Sequence, residues 1–369
     1  MRGTAGASDN RSLWYLCLEL PTEGTASHTH VMGILRGLSS RGWRTSLWHP
    51  PERRGVRGPV RRLFDGLATQ GRLMLRRDRP EILYVRGHFA SLPAVIWARL
   101  MHVPVAWELN GGGTDVLSSW PQVRPLLPLL MASVDWQMRL STAVIAVTPE
   151  LSRWARERGA RRCYVVPNGA DTERFTPTAT SPTVLPQRFV SFTGTLARWQ
   201  GVESLLDALD RPAWPAHVSL VVIGDGVLAE TVRARSRIEP RLTYLGRVRH
   251  RDVPGIVARS LGAISPKAGG DLSHTGVVPL KLFEAMAAGV PVIVTDLPGQ
   301  ADIVSGRGCG LVVPPGDPAA IAAAVATLDS DPGLARQMGQ RARDAAVDSY
   351  SWDSAAAQTH AILIGLVRR

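Results

Sequence analysis

Val278-Pro279-Leu280-Lys281-Leu282-Phe283-Glu284-Ala285-Met286-Ala287-Ala288-Gly289-Val290-Pro291-Val292-Ile293-Val294-Thr295-Asp296 reads as a short helix that passes at once into a buried strand. Pro279 fits near the first helical position, where its missing N–H costs nothing. Gly289 and Pro291 stop the helix and start the apolar strand Val292 to Thr295. The free N–H groups of a first helical turn, together with the helix dipole, attract phosphate oxygens. Lys281 adds a point charge there, and Glu284, one turn on, can accept two hydrogen bonds from a vicinal diol such as a ribose. Lys267 and Lys281 are the only lysines in a chain whose other basic residues are almost all arginine, and both fall in or just before this stretch. The combination suits a sugar nucleotide. The plain alternative is an ordinary αβ unit in which Lys281 and Glu284 form a solvated i,i+3 pair.

Outward from this stretch, strands and helices alternate twice over. Leu13 to Leu20 is apolar enough for a first strand, and the loop 21–27 leads into a helix from His28 to Ser40. Further units follow at Glu81 to Val85 with Leu92 to Leu100, Val103 to Trp107, Ala143 to Val147 with Glu150 to Arg158, and Cys163 to Val166. Asn168 to Pro186, rich in Thr and Pro, reads as a linker. A second set runs through Phe189 to Thr193, Val218 to Ile223, Leu242 to Leu245, Gly262 to Ser265, Val292 to Thr295 and Gly310 to Val313. The pattern predicts an α/β protein of two doubly wound, Rossmann-like domains, residues 11–176 and 187–350, each with a parallel sheet covered on both faces. The last helix, within about 351–369, is a candidate to return to the first domain.

A length of 369 residues with 45% hydrophobic composition supplies two cores of ordinary size. Apolar runs such as Ala319 to Leu328 fall short of the roughly 18 residues of a membrane span. Met1 to Asn10 has no apolar signal core, so a cytoplasmic protein is expected. Cys17, Cys163 and Cys309 are isolated, which indicates neither a disulfide framework nor a zinc site and suits small buried residues.

The formal charge of +12 predicts attraction to anions. Its local source is Arg53, Arg54, Arg57, Arg61, Arg62, Arg72, Arg76, Arg77 and Arg79, set against only Asp65 and Asp78. Val60, Leu63, Phe64, Leu67 and Met74 recur there at helical spacing. Such a helix either faces a core with its arginines in solvent or lies in an anionic membrane interface, here the inner membrane face. No zinc finger, basic zipper or aromatic RNA signature accompanies it, so nucleic acid is not an expected partner.

Ligands of doubly wound sheets bind at the carboxyl ends of strands. The loops there are the one around Gly24, Arg86-Gly87-His88, Asn110-Gly111-Gly112-Gly113-Thr114-Asp115, Gly194 to Gln200, and Gly224-Asp225-Gly226. None is a P-loop or a GxGxxG fingerprint; as bare spacing they are tight βα turns. Asp329-Ser330-Asp331 lies between two C-terminal helices, away from these loops, and reads as a helix cap and turn.

The segment 278–296 resembles the signature helix of family 4 glycosyltransferases. Three further stretches match that family in order: Val165 to Pro177, Phe192 to Glu203, and Tyr244-Leu245-Gly246-Arg247-Val248. The likeness is close over about the second half of the chain and looser before it. It implies the GT-B fold, two Rossmann-like domains facing a central cleft, and transfer of a sugar from a nucleotide donor, UDP- or GDP-linked, with no cofactor or metal required. By the same resemblance Glu284 is the ribose-binding carboxylate, with Gly24, Gly194, Gln200, Arg247, Val278, Pro279 and Leu280 around the donor. Arg198 and Lys281 meet the donor phosphates. Gln200 stands where many members carry Lys, which moves the phosphate cation to Lys281 or Lys267. Gly276 stands where many members carry an acid for the donor sugar, so Asp271, Ser273 or His274 is expected to replace it.

The charge that builds on the leaving diphosphate can be met by helix N–H groups, Arg198 and Lys281. Family precedent implies retention through front-face attack without a protein nucleophile. His88 is the candidate acceptor base and Glu108 the second choice for it, with Glu108 and Asn110 expected on the acceptor side. The acceptor is expected to be a glycan, a lipid-linked molecule or a small molecule. Two alternatives stay open on this architecture: a sugar-nucleotide epimerase or phosphorylase, and a silent nucleotide-sugar or glycan binder, which Gly276 and Gln200 keep in view.

Overall fold

The computed structural model describes residues 11–52, 58–112, 121–269 and 276–367. Two compact units divide the chain, Met1–Pro167 with Ala355–Arg369, and Asn168–Ser354. The first unit contains β1 (Arg11–Leu16), α1 (Ala26–Ser39), β2 (Trp43–Trp48), α2 (Pro59–Met74), β3 (Ile82–Arg86), α3 (Leu92–Leu100), β4 (Val105–Leu109), α4 (Leu127–Leu140), β5 (Ala143–Ala146), α5 (Pro149–Glu157) and β6 (Cys163–Val165). All its strand pairs are parallel, in the order β2-β1-β3-β4-β5-β6. Ile82, Leu83, Tyr84 and Val85 are all buried, as are Ala143 to Ala146, because helices cover both faces of the sheet.

The second unit contains β7 (Phe189–Thr193), α6 (Val202–Ala208), β8 (Ser219–Ile223), α7 (Ala229–Ser236), β9 (Leu242–Gly246), α8 (Val253–Ala258), β10 (Ala263–Ser265), α9 (Leu280–Ala287), β11 (Val292–Thr295), α10 (Gln300–Arg307), β12 (Gly310–Val313), α11 (Pro318–Ser330) and α12 (Pro332–Asp348). Its parallel sheet runs β12-β11-β10-β7-β8-β9. In each sheet the first strand of the unit has neighbours on both sides, so the connection order reverses beside it. This makes β1/β3 and β7/β10 the topological switch points, where crossovers leave in opposite directions and open a crevice at the strand ends.

The final helix, α13 (Trp352–Val367), counts with the first unit from Ala355 onward, and there Trp43 Nε1 donates to His360 Nδ1 at 2.9 Å. Residues 168–186, expected as a linker, belong to the second unit. Asn168 Nδ2 donates to the Val278 carbonyl at 3.2 Å, Phe175 is buried, and Arg343 donates to the Thr172 and Phe175 carbonyls. Strand β2 was not expected; Trp43-Arg44-Thr45-Ser46-Leu47-Trp48 pairs with β1 at the edge of its sheet with most side chains half-exposed. Asp331 caps α12 through Leu334 N, and Asp329 accepts from Arg188.

Helix α2 forms where its spacing predicts, yet its faces are reversed. Val60 and Phe64 are each 66% exposed and Leu75, just past the helix, 85%, whereas Thr69, Gln70 and Leu73 are fully buried. Gln70 is held by two bonds to the segment ahead of and inside α3: its Nε2 donates to the Ala90 carbonyl at 2.9 Å and its Oε1 accepts from Ala94 N at 3.0 Å. The apolar stripe therefore does not face a core. Gln70→Leu, which orphans both backbone groups, is expected to cost the first domain roughly 1–3 kcal/mol in urea denaturation, and Phe64→Ser less than about 0.5 kcal/mol. The opposite ranking would mean that α2 packs by its apolar face.

Candidate active site

At the β7/β10 switch point the chain is shaped by glycine. Gly194 follows β7 at φ 134° and Gly224 follows β8 at φ 135°. A Cβ on Gly224 would lie 1.8 Å from the Gly194 carbonyl oxygen, and one on Gly226 2.5 Å from the Leu196 carbonyl oxygen. Only residues without side chains let these two loops cross backbone on backbone. Gly201, at φ 73°, likewise leaves room for the Pro266 carbonyl, which a Cβ would meet at 1.5 Å. A small, mostly apolar cavity runs between this sheet and the α9 segment, with Val257, Ile264, Ala285 and Val292 on its walls and Thr193 and Lys281 among its polar lining.

Helix α9 points its first turn here. Pro279 is its N-cap, in extended conformation, one position earlier than the sequence suggests, and Leu282 N donates back to its carbonyl. The first-turn amides have no acceptor further back in the helix. Lys281 is half-buried; its Nζ donates to Gln200 Oε1 at 3.1 Å and lies 3.8 Å from the Phe192 ring centroid. A Cβ on Gly194 would come within 3.1 Å of that ammonium. Burial brings the lysine down to about 7, with Glu284 pulling weakly the other way. Burial pushes Glu284 up to about 7, opposed by Lys281 and Arg174. Among the described residues no hydrogen bond or ion pair reaches the Glu284 carboxylate, and Lys281 and Glu284 are not within ion-pair distance. A solvated i,i+3 pair is thereby set aside. Two half-buried ionisable groups stand without a counter-charge in contact at the carboxyl end of a sheet, a pattern typical of sites that receive a ligand.

The other expected donor residues take distinct places. Gln200 is only 5% exposed and acts on Lys281, so it positions the cation and does not itself face a ligand. The Arg198 side chain is 81% exposed, with a loose 3.7 Å contact to Glu203. Arg247 is exposed just after Gly246. Val278 is buried and takes the Asn168 bond, while Leu280 is half-buried in the first turn. Lys267 is 2% exposed with its ammonium 4.0 Å from the Trp199 ring centroid, which removes it from the surface as a substitute phosphate cation. Gly276 is buried at φ 69°, a conformation that disfavours the acid the family resemblance leads one to expect there. Asp271, Ser273 and His274, like Arg53, Arg54, Arg57 and the segment Gly113 to Asp115, lie outside the described residues.

The first domain corrects two expectations. Glu108 is not presented to an acceptor: it is 1% exposed and enclosed by four partners. Its Oε2 accepts from the Tyr15 hydroxyl at 3.0 Å and lies 2.9 Å from His30 Nε2, while its Oε1 accepts from Arg86 Nη1 at 2.8 Å and from Asn110 Nδ2. Burial alone would raise its pKa, but His30, Arg86 and Asn110 outweigh that and hold the carboxyl well below its ordinary range. Asn110 is thus tied to this cluster as well. A Glu in the apolar run Val105 to Leu109 and an Arg ending Ile82 to Arg86 were the available sequence signal, since buried charges persist only when paired.

His88 follows β3 at the β1/β3 switch point, as expected. Its Nδ1 accepts from Ala90 N at 3.1 Å and its ring stacks on Phe89. Burial lowers its pKa, and because Nδ1 accepts from the Ala90 amide the ring proton is assigned to Nε2. Such a ring donates a hydrogen bond; it is not poised as a base. Gly24 sits exposed at φ 82° just before Thr25, which caps α1 by accepting from His28 N.

The sequence profile for Glycosyltransferase Family 4 matches residues 27–174, and that for Glycosyl transferases group 1 matches residues 187–331. The chain belongs to the family 4 glycosyltransferases. Glycogen synthase of Mycobacterium tuberculosis is 24% identical over 340 residues, covering 90% of this chain and 77% of that protein. The GDP-mannose-dependent alpha-(1-6)-phosphatidylinositol monomannoside mannosyltransferase of the same organism is 31% identical over 232 residues, 58% of this chain and 59% of that one. Sucrose-phosphate synthase from Thermosynechococcus elongatus superposes with a TM-score of 0.79 at 18% identity, covering 97% of this chain and 99% of that one. Anabaena HepE in complex with UDP-glucose superposes with a TM-score of 0.71 at 18% identity, over 96% and 100%. The fold is GT-B and the family 4 glycosyltransferase is an enzyme that transfers a glycosyl group from a nucleotide sugar.

Glu108 ties the site region of the first domain together, and its removal is measurable. Glu108→Gln leaves Arg86 with only its longer 3.4 Å contact to the half-exposed Glu19 and is expected to destabilise the first domain by roughly 3 kcal/mol at pH 7. Because the folded pKa is depressed, the ionised carboxylate's contribution is complete above its unfolded pKa near 4.5 and is lost as pH falls toward the folded value. Urea denaturation should therefore show the gap between wild type and variant narrowing steadily below about pH 4.5.

Proposed function

We propose that the second domain holds a nucleoside diphosphate sugar with its ribose diol on Glu284 and its diphosphate over the first turn of α9, met by Lys281 and Arg198, and that the sugar is transferred with retention. The observation that carries this proposal is the pair Lys281 and Glu284, half-buried and without a counter-charge in contact, beside the β7/β10 switch point, with Lys281 bonded to Gln200 in the loop after β7. A diphosphate gives the ammonium its counter-charge, and a diol gives the carboxylate its two donors. As the bond from the sugar C1 to the diphosphate oxygen breaks, its electrons stay on that oxygen, and the same cations and amides stabilise the growing charge. This donor set meets the charge without calling on a metal ion.

Retention follows the front-face course, in which the acceptor hydroxyl bonds to C1 on the face the diphosphate leaves. With Glu108 enclosed and His88 protonated on Nε2, neither candidate base is available, and the departing phosphate oxygen takes the acceptor proton. His88 then serves as a donor to a hydroxyl. UDP and GDP are the favoured donor nucleotides: HepE is complexed with UDP-glucose and the mannosyltransferase is GDP-mannose-dependent. The acceptor is a glycan or a lipid-linked molecule, and the site of action is the cytoplasm at the inner membrane face.

Thermal-shift measurements with UDP, GDP and ADP sugars test the donor site. A donor at one hundred times its Kd should stabilise the wild type by about 2.7 kcal/mol and leave Glu284→Ala unshifted; if no donor protects the wild type, the proposal fails. Proton linkage gives a second test. Free Lys281 loses its proton above about 7, and a bound diphosphate favours the ammonium, so binding takes up a proton on the alkaline side. Affinity for UDP or GDP should fall about tenfold per pH unit above neutrality, and calorimetry in two buffers of different ionisation enthalpy should register the uptake. Lys281→Gln should bind weakly, with neither the slope nor the uptake.

A further inference from the structure

Helix α2 is built inside out. Val60, Phe64, Leu67 and Leu75 recur at helical spacing along one line, and the structure leaves them 66%, 66%, 42% and 85% exposed, with Leu63 beside them at 45%. The opposite face, which docks on the domain, spends Gly66, Thr69 and Gln70 there together with Leu73. Thr69 and Gln70 are satisfied by local and α3-side bonds, so the polar face is where the fold requires it to be. An apolar line turned outward along the whole helix is not needed for packing and is costly to leave in water.

The flanks say what covers it. Arg61 and Arg72 stand about three turns apart on one side of the stripe, both exposed, and Arg77 and Arg79 follow the helix, also exposed. Arg61, Arg77 and Arg79 have no ion-pair partner among the described residues; Asp78 is engaged by Arg76. A second copy of this chain would bring the same arginines against them, and nucleic acid would have no use for Phe64, Leu67 and Leu75. An anionic bilayer answers both features, since its headgroups pair with guanidinium groups and its acyl boundary accepts the apolar side chains. We propose that α2 seats the first domain in the plane of an anionic lipid surface, with Val60, Phe64, Leu67 and Leu75 in the acyl boundary and Arg61 and Arg72 at headgroup level. No helix among the described residues is long and apolar enough to cross a membrane, so α2 would lie on the surface.

Co-sedimentation with vesicles tests this with no sugar donor present, so its outcome is read separately from that of the donor site. The full chain is expected to partition onto phosphatidylcholine vesicles containing phosphatidylglycerol, to release as salt is raised, and to leave pure phosphatidylcholine largely unbound. Phe64→Gln with Leu67→Gln should lower partitioning by roughly tenfold or more with an unchanged melting curve, because both positions face solvent. Arg61→Gln with Arg72→Gln should weaken binding to the phosphatidylglycerol vesicles and remove much of its salt dependence. The proposal is overturned if the wild type does not sediment with phosphatidylglycerol vesicles, if it binds both vesicle types equally, or if the Phe64 and Leu67 double variant binds as the wild type does. It is also overturned if sedimentation velocity finds a wild-type dimer that the same double variant splits, which would make a second copy the occupant.

Discussion

The second domain is organised by a steric constraint at the end of β7: the Gly224 position lies so near the Gly194 carbonyl oxygen that no Cβ fits between them. Because the loops after β7 and β8 cross backbone on backbone, the turn Arg198 to Gln200 is held close against the start of α9, and Gln200 meets a lysine 81 positions later in sequence. Any side chain in the crossing would push those loops apart and move Gln200 from Lys281. The chemistry of the site is thus set by what is missing from the backbone as much as by the charged groups displayed on it.

Both domains bury charge at a switch point, and they do so in opposite ways. Glu108 has its two oxygens shared among Tyr15, His30, Arg86 and Asn110, and the pairing overcomes the desolvation that would otherwise neutralise it. A saturated carboxylate of this kind holds β1, β3 and β4 in register and has no lone pairs left for a substrate. Lys281 and Glu284 are the reverse: desolvated, three residues apart, without a counter-charge in contact. Burial draws both groups toward their neutral forms, and a ligand that supplies an anion and a diol would relieve both at once. Saturation marks Glu108 as a structural carboxylate, and Glu284, which lacks it, is the one the proposed donor site uses.

Much of this was legible in residues. Glu81 to Val85, Ala143 to Val147 and Val292 to Thr295 read as strands because a sheet covered on both faces demands largely unbroken apolar runs. Strand β2 escaped because an edge strand can be half-polar, and Trp43-Arg44-Thr45-Ser46-Leu47-Trp48 carries no such run. Periodicity located α2 but left its outward face undetermined: a helix with one polar and one apolar stripe packs by either, and the decision belongs to Gln70, whose partners Ala90 and Ala94 are 20 and 24 positions away. His88 was placed at the right strand end, yet its protonated nitrogen follows from the Ala90 amide, a contact that spacing does not reveal. The segment 168–186 looked like a linker by composition, while its attachment to the second unit depends on Asn168 and Phe175 finding partners more than a hundred residues on.

Gln200 and Lys281 are best understood together. Family resemblance expects a lysine at position 200, and its replacement looks like a lost phosphate contact. In this chain the two side chains meet at 3.1 Å in a desolvated corner, with the Phe192 ring on another side of the ammonium. Two ammonium groups at that separation would repel by roughly 5 kcal/mol even at an effective dielectric constant of about 20, so one would be driven toward its neutral form and bring no positive charge to a diphosphate. A glutamine removes the conflict and adds an acceptor: its Oε1 fixes the lysine while its charge remains zero, and the cation stays one residue inside the helix whose free amides face the same anion. Gln200 is therefore the residue that a lysine at 281 requires, and the proposed donor site keeps one cation held in place where two could not both be charged.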